Sequence, residues 1–414
     1  MALSLALVLA FAIPARPDER VDRWRADVEF LGRELAARHL NLFHDLPREE
    51  WEARVAELAE RIPELEDQEI AADVARLVAS AGDAHTTVHA GSPPFVARAA
   101  PIELRWFPDG LRLVAAPSEK ADAVGGRVVK IGGVAIVEAW ERASELISHE
   151  NEAWLRAQVP RWLAMPPFLH AIGLADDDAN ARYTVEPDAA AAKTPEATVG
   201  GTIDVDVRAG TVVRSFARAE PAQTPLWLER RREPYWFEYL AESGTLFLQY
   251  NQCADDPGKP FFELAQELFA VADREKPQRL VIDVRHNGGG NSLVIQPLYA
   301  GLASRRELRA RGRLFVAIGP QTFSSGMMNA VELRQGCGAL LVGEPTGGKP
   351  NSYGEVKTLE LPNSRLRIGY CTKLFKLSAT DAPSVEPDVA APVTIEDWKR
   401  GRDPALEAVV RWKE

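Results

Sequence analysis

The chain has 414 residues, 46% of them hydrophobic and 26% charged, an ordinary balance for folded domains with a large buried core. Its formal net charge of −11 is spread along the chain rather than gathered in a tail, which argues against nucleic acid or an anionic membrane surface as a partner. Three cysteines, Cys253, Cys337 and Cys371, are too few for a disulfide framework; at most one bridge is possible, and its pairing cannot be read from the sequence.

Residues 1–15 read as a secretory leader. Their apolar run ends in small residues that suit cleavage at Ala12 or Ala15, so the mature protein is expected to be exported, periplasmic or secreted. The run is too short to cross a bilayer comfortably, and no stable membrane span is expected after cleavage. Residues 18–90 form a helical region. Val21, Trp24, Val28, Leu31 and Leu35 recur at helical spacing, as do Trp51, Val55, Leu58 and Ile62, and then Ile70, Val74, Leu77 and Val78. This region closes on the loop GDAHT at 82–86.

Residues 95–185 change character. Two short strands flank Asp109-Gly110, a hairpin signal, and a strand, a glycine turn and a second strand occupy 125–136. A helix over 137–147 and a Trp-rich helical segment around Trp154 and Trp162 follow. Residues 186–234 read as a connecting, partly β region rich in Ala, Pro and Thr. From 235 to 414 strands expected at 244–250, 279–285, 313–318 and 338–343 alternate with helices at 260–274, 291–302 and 324–335, the last closed by Gly336. That alternation predicts an α/β core with a mainly parallel sheet.

Two stretches of this core carry chemistry. LVIDVRHNGGG at 280–290 is a buried strand ending in three glycines, where the backbone can approach a substrate. TFSSG at 322–326 opens a helix, whose N-terminus offers unpaired N–H groups and partial positive charge. Together they form two halves of an acyl-transfer site: a serine, and N–H donors for an oxyanion. A serine needs a base. Of the seven histidines, His85 stands out in the small-residue GDAHT loop. Lys349 in GEPTGGKP is the other candidate, since a desolvated lysine can act as a neutral base. That stretch nearly matches a phosphate loop, but Pro350 stands where the magnesium-binding Ser or Thr belongs, so no nucleotide is expected. No Cys/His cluster has metal spacing, and neither a metal nor another cofactor is expected.

On these residues the chain resembles the C-terminal-processing, or tail-specific, serine peptidases, in the branch of the tricorn core and the retinoid-binding repeat proteins. The motifs are GDAHT (82–86), LVIDVRHNGGG (280–290), TFSSG (322–326), GEPTGGK (343–349), LPNS (361–364) and VEPDV (385–389), in family order. The resemblance implies a crotonase/Clp-like α/β core, a degenerate PDZ-like insertion and hydrolysis of protein or peptide substrates through an acyl-enzyme. It implies Ser324 as nucleophile and the amides of Ser325 and of Gly288 or Gly289 as oxyanion hole. His85 matches the histidine base of the tricorn-like branch. Asp381, ahead of Pro387, stands where that branch has a glutamate orienting the histidine. Lys349 matches the lysine of the alternative Ser–Lys dyad, but Tyr353 stands where the glutamine supporting that lysine belongs. Two other readings share parts of this pattern: a non-catalytic protein binding apolar ligands on the same fold, and a crotonase-like acyl-CoA enzyme with no serine nucleophile.

Overall fold

The computed structural model describes residues 17–89, 98–188, 201–219, 221 and 223–413; the expected leader lies outside the described residues. Three helices open the chain: α1 (Pro17–Arg38), α2 (Arg48–Arg61) and α3 (Asp67–Ala79). The positions picked out by helical spacing are buried, among them Trp24, Val28, Leu31, Trp51, Ile70, Val74 and Val78, except Val21 and Val55, which are half-buried against the same cluster. A capping box between Glu66 and Glu69 starts α3.

Strands β1 (Glu103–Phe107), β2 (Gly110–Pro117), β3 (Arg127–Ile131) and β4 (Val134–Ala135) come next. Helices α4 (Ile136–Ser144), α5 (Glu152–Trp162) and α6 (Pro166–Ala171) follow, then β5 (Asn180–Glu186), β6 (Ile203–Arg208) and β7 (Phe216–Arg218). These seven strands make one antiparallel sheet in the order β1-β2-β3-β5-β6, with β4 on β3 and β7 on β2. The expected β1–β2 hairpin forms, but its turn lies one residue earlier, at Pro108-Asp109: Phe107 pairs with Gly110, which already belongs to β2. The stretch read as connecting and partly β supplies β6 and β7 to this sheet. One apolar cluster runs from the first three helices through the sheet.

The remaining chain alternates strand and helix: β8 (Tyr235–Leu240), β9 (Thr245–Tyr250), α7 (Phe261–Glu275), β10 (Arg279–Asp283), α8 (Gln296–Ala303), β11 (Leu314–Ile318), α9 (Ser324–Cys337) and β12 (Leu340–Gly343). After these come the hairpin β13 (Asn351–Glu360)–β14 (Arg367–Lys376), then β15 (Val389–Ala390), α10 (Ile395–Arg400) and α11 (Pro404–Arg411). The second sheet runs β15-β12-β11-β10-β9-β8 and is parallel except for the β8–β9 pair. Its central strands are covered on both faces, which is why they read as unbroken apolar runs. Leu246, Leu280, Ile282 and Val316 pack against α7, α8 and α9; Phe247, Val281 and Phe315 pack against α11.

Helix α9 closes two residues later than expected, at Gly338 (φ 74°) rather than Gly336. The Gly338 N–H meets Arg334 O and the Ala339 N–H reaches Leu333 O, a Schellman-type end set by where β12 must begin. The loops after β10, β11 and β12 gather at the carboxyl ends of the parallel strands, the place where open α/β sheets put their sites.

Candidate active site

Ser324 is the first residue of α9, entered through the extended residue Phe323 (φ −141°, ψ 162°). Ser324 itself has φ +47°. That left-handed backbone costs an L-residue about 1–3 kcal/mol unless its surroundings impose it. Three contacts impose it here. The Phe323 N–H donates to Asn287 O at 3.0 Å, the Ser325 hydroxyl donates to Gly290 O at 2.7 Å, and Gly326 lies so close that a Cβ there would sit 2.5 Å from Asn287 O. Ser325 is thereby a structural tie. Ser324 is partly exposed, and its hydroxyl has no hydrogen-bond partner among the described residues.

Asn287, fully buried, folds the glycine loop against this turn. Its Nδ2 donates to Tyr250 O at 2.9 Å, and its Oδ1 accepts the Gly289 N–H at 2.9 Å. This corrects one expectation: the Gly289 amide is committed within the loop and is not an oxyanion donor. The amides of Gly288 and Ser325 have no acceptor among the described residues. Gly289 instead serves by lacking a side chain. Its φ is +111°, and a Cβ would meet Ser324 Cβ at 2.6 Å and the Ser325 nitrogen at 3.1 Å.

The GDAHT loop reaches the same place. Asp83 Oδ1 accepts the backbone N–H of His85 at 2.8 Å and of Thr86 at 3.0 Å, while Oδ2 meets His39 Nε2 at 2.9 Å. Cys371 Sγ lies 3.3 Å from Oδ1. Burial pushes the Asp83 carboxyl up, but hydrogen bonds from His39 and Thr86 outweigh it and hold it at about 2. The three cysteines are free thiols, and Cys253 and Cys371 are spent on buried hydrogen bonds.

The loop lays the His85 ring on the ring of Phe323, centroids 4.4 Å apart; Trp154 stacks on Phe323 at 4.0 Å. The imidazole therefore sits against the residue that precedes Ser324. Both His85 ring nitrogens are buried without a hydrogen-bond partner. Burial lowers its pKa from 6.5 against the opposing pull of Asp83, which favours the neutral, proton-accepting ring.

Two further expectations are corrected. Asp381 does not hydrogen-bond His85: its Oδ2 accepts from Lys349 Nζ at 3.0 Å, and its side chain is 69% exposed. The aspartate is one methylene shorter than the expected glutamate, and the neighbouring ammonium takes it. Lys349 is correspondingly an ion-paired donor rather than a free base. Its loop leads from β12 directly into strand β13, without the helix that a phosphate loop needs.

Sequence reading missed Glu150 and Asn151. The Glu150 carboxyl is pushed up to about 8 by burial and the Asp83 charge, against Lys349, and its Oε2 has no hydrogen-bond partner. Asn151 caps α5 by accepting the Trp154 N–H at 2.8 Å; its Nδ2 donates to Gly347 O and Pro383 O, tying α5 to the loops around Ser324. Both sit in a short polar run without periodicity; the only sequence signal was an Asn ahead of a helix.

No family model and no curated protein matches this sequence. Solved structures do. Mature CPAF complexed with lactacystin aligns at TM-score 0.64 with 14% identity over 95% of this chain and 98% of that one. A second structure of mature CPAF aligns at 0.63 with 14% identity over 95% and 97%. A CPAF mutant aligns at 0.64 with 14% identity over 96% and 99%. The mixed α/β fold of this chain is thus shared, nearly end to end, with CPAF.

Proposed function

We propose that the chain is a serine peptidase of the C-terminal-processing type, with Ser324 as nucleophile and His85 as general base. The observation that carries this reading is the junction of three segments: a strained serine with a free hydroxyl, unpaired Gly288 and Ser325 amides beside it, and a buried imidazole stacked on the preceding residue. In the proposed reaction His85 takes the Ser324 proton as the oxygen attacks a peptide carbonyl. The carbonyl oxygen becomes an oxyanion held by the Gly288 and Ser325 N–H groups, each such donor contributing about 3–4 kcal/mol. Asp83, buried and charged, offsets the imidazolium through space while its hydrogen bonds hold the loop. His85 then passes the proton to the leaving amine, and water hydrolyses the acyl-enzyme by the reverse sequence.

The CPAF fold supports this reading, and we assign the parallel-sheet core to the crotonase/Clp-like class and the antiparallel sheet to a degenerate PDZ-like insertion. Export of the chain, with residues 1–15 as its leader, belongs to the same proposal. The rival Ser324–Lys349 dyad is disfavoured by the ion pair with Asp381. The test is a fluorophosphonate probe on the purified chain, read by peptide mass spectrometry. Phosphonylation at Ser324 is expected; absence of labelling, or a label on another residue, would overturn the assignment.

A further inference from the structure

A cavity of 550 Å³ opens beside the serine turn, with Gly288 in its wall. Its lining is unusual for an acidic chain. Arg105, Arg156, Arg161 and Arg231 all face it, and none has a carboxylate partner among the described residues. Arg105 lies over Trp398 at 4.2 Å, and Arg156 over Trp106 at 5.9 Å. A fifth guanidinium, Arg285, is already forked between the buried carboxylates of Asp283 and Asp403. Of the two acids in the wall, Glu103 is paired with Arg218. Burial pushes the Glu344 carboxyl up, against the charges of Arg285, Arg105 and Arg156, and none of the four arginines pairs with it. Burial and the neighbouring Arg231 lower Arg105 to about 10, outweighing the opposing charges of Glu103 and Glu344, neither of which pairs with it directly.

The shape of the wall suits a peptide. Strand β1 is at the edge of its sheet, and all five of its residues line the cavity. An extended chain lying along that edge would occupy the same cavity whose wall holds Gly288.

We propose that this cavity is a specificity subsite for an acidic side chain of the substrate peptide, recognised by Arg105, Arg156, Arg161 and Arg231. This rests on the peptidase reading above. A guanidinium with no carboxylate partner matches a substrate carboxylate by charge and by its planar fork of donors. A neutral amide of the same shape loses the charge and part of the donor match.

The test is binding, so it does not need turnover. Full-length chain carrying Ser324→Ala is titrated with fluorescein-labelled short peptides on an alanine-serine-leucine background. Each peptide carries a single glutamate, walked along the chain, and each is matched by one carrying glutamine at the same position. At least one position should bind about tenfold more tightly as glutamate. The ratio should shrink as salt rises, and Arg156→Gln with Arg161→Gln should bring it close to one. Equal binding of every glutamate and glutamine pair overturns the proposal, and so does a preference unchanged in the double variant. The glutamate and glutamine comparison on the Ser324→Ala chain with its arginines intact decides the matter even if the double variant fails to fold. Each peptide is also made with a free and an amidated C-terminus. A gain that follows the free terminus and ignores the glutamate reassigns the arginines to terminal carboxylates and likewise overturns it. The probe labelling of unmodified Ser324 reads the peptidase assignment separately, so the two failures are distinguishable.

Discussion

Ser324→Ala and His85→Ala should each lower peptide-hydrolysis kcat by about ten-thousand-fold to a million-fold, and the double variant should be no worse than either alone. The two residues act on one proton. Without the hydroxyl there is nothing to activate, and without the imidazole nothing accepts the proton. Lys349→Ala and Asp381→Asn are expected to retain most of the activity, because those side chains satisfy each other and Asp381 is mostly exposed. The measurement is steady-state hydrolysis of a quenched fluorogenic peptide and of casein by the four single variants and the double variant. An inactive Lys349→Ala beside an active His85→Ala would replace the histidine mechanism with the dyad.

The same pair sets the pH profile. The acid limb of kcat/KM should follow protonation of His85, and burial moves that step below 6.5. Because the folded-state value is lowered, the unfolded chain takes up the His85 proton first, so this group also withdraws stability as pH falls below 6.5. Glu150 acts in the opposite direction. Its carboxyl, raised from 4.5 to about 8, keeps its proton in the fold after the unfolded chain has lost it. It therefore withdraws stability as pH rises across that interval. Glu150→Gln should flatten the loss of Tm between pH 5 and pH 8, measured by thermal melts; an unchanged slope would show that Glu150 does not titrate as argued.

The parts of this arrangement legible in the sequence are those set by local rules. Helical spacing marked the buried face of α1 to α3, and unbroken apolar runs marked β9 to β11, because each element is covered by its own near neighbours. The serine turn was legible because a helix start and a glycine loop have short signatures. What escaped depends on contacts between distant segments. Asp83 gathers His39, the His85 backbone and Cys371, and no spacing in the chain encodes that cluster. The stack of His85 on Phe323 joins a loop after α3 to the entry of α9. The Gly289 amide was misjudged for a related reason: composition shows that a glycine loop can present N–H groups, but which of them is already satisfied depends on the side chain of Asn287. Asp381 shows the limit of carrying over a position, since a shorter side chain beside Lys349 finds a different partner.

Gly289→Ala should remove at least as much activity as losing an oxyanion donor, about a hundredfold to a thousandfold in kcat, although no catalytic atom is deleted. The added methyl would stand 2.6 Å from Ser324 Cβ, a distance no relaxed packing allows, and a tight 3.1 Å from both Ser324 Oγ and the Ser325 nitrogen. At φ +111° alanine is also strained in itself, so the loop has two reasons to move. It cannot move outward freely, because the Gly289 carbonyl accepts the Cys253 N–H at 3.1 Å and its amide is held by Asn287. The serine turn must then yield, shifting the hydroxyl and the Ser325 amide together. Gly288→Ala is the control: a Cβ there meets nothing within 4 Å, so its effect should be the smaller of the two. Hydrolysis and the rate of fluorophosphonate labelling should fall in parallel for Gly289→Ala, since both report the reach of Ser324 Oγ. Full labelling with lost hydrolysis would mean that the glycine shapes the path of the substrate instead of the position of the nucleophile.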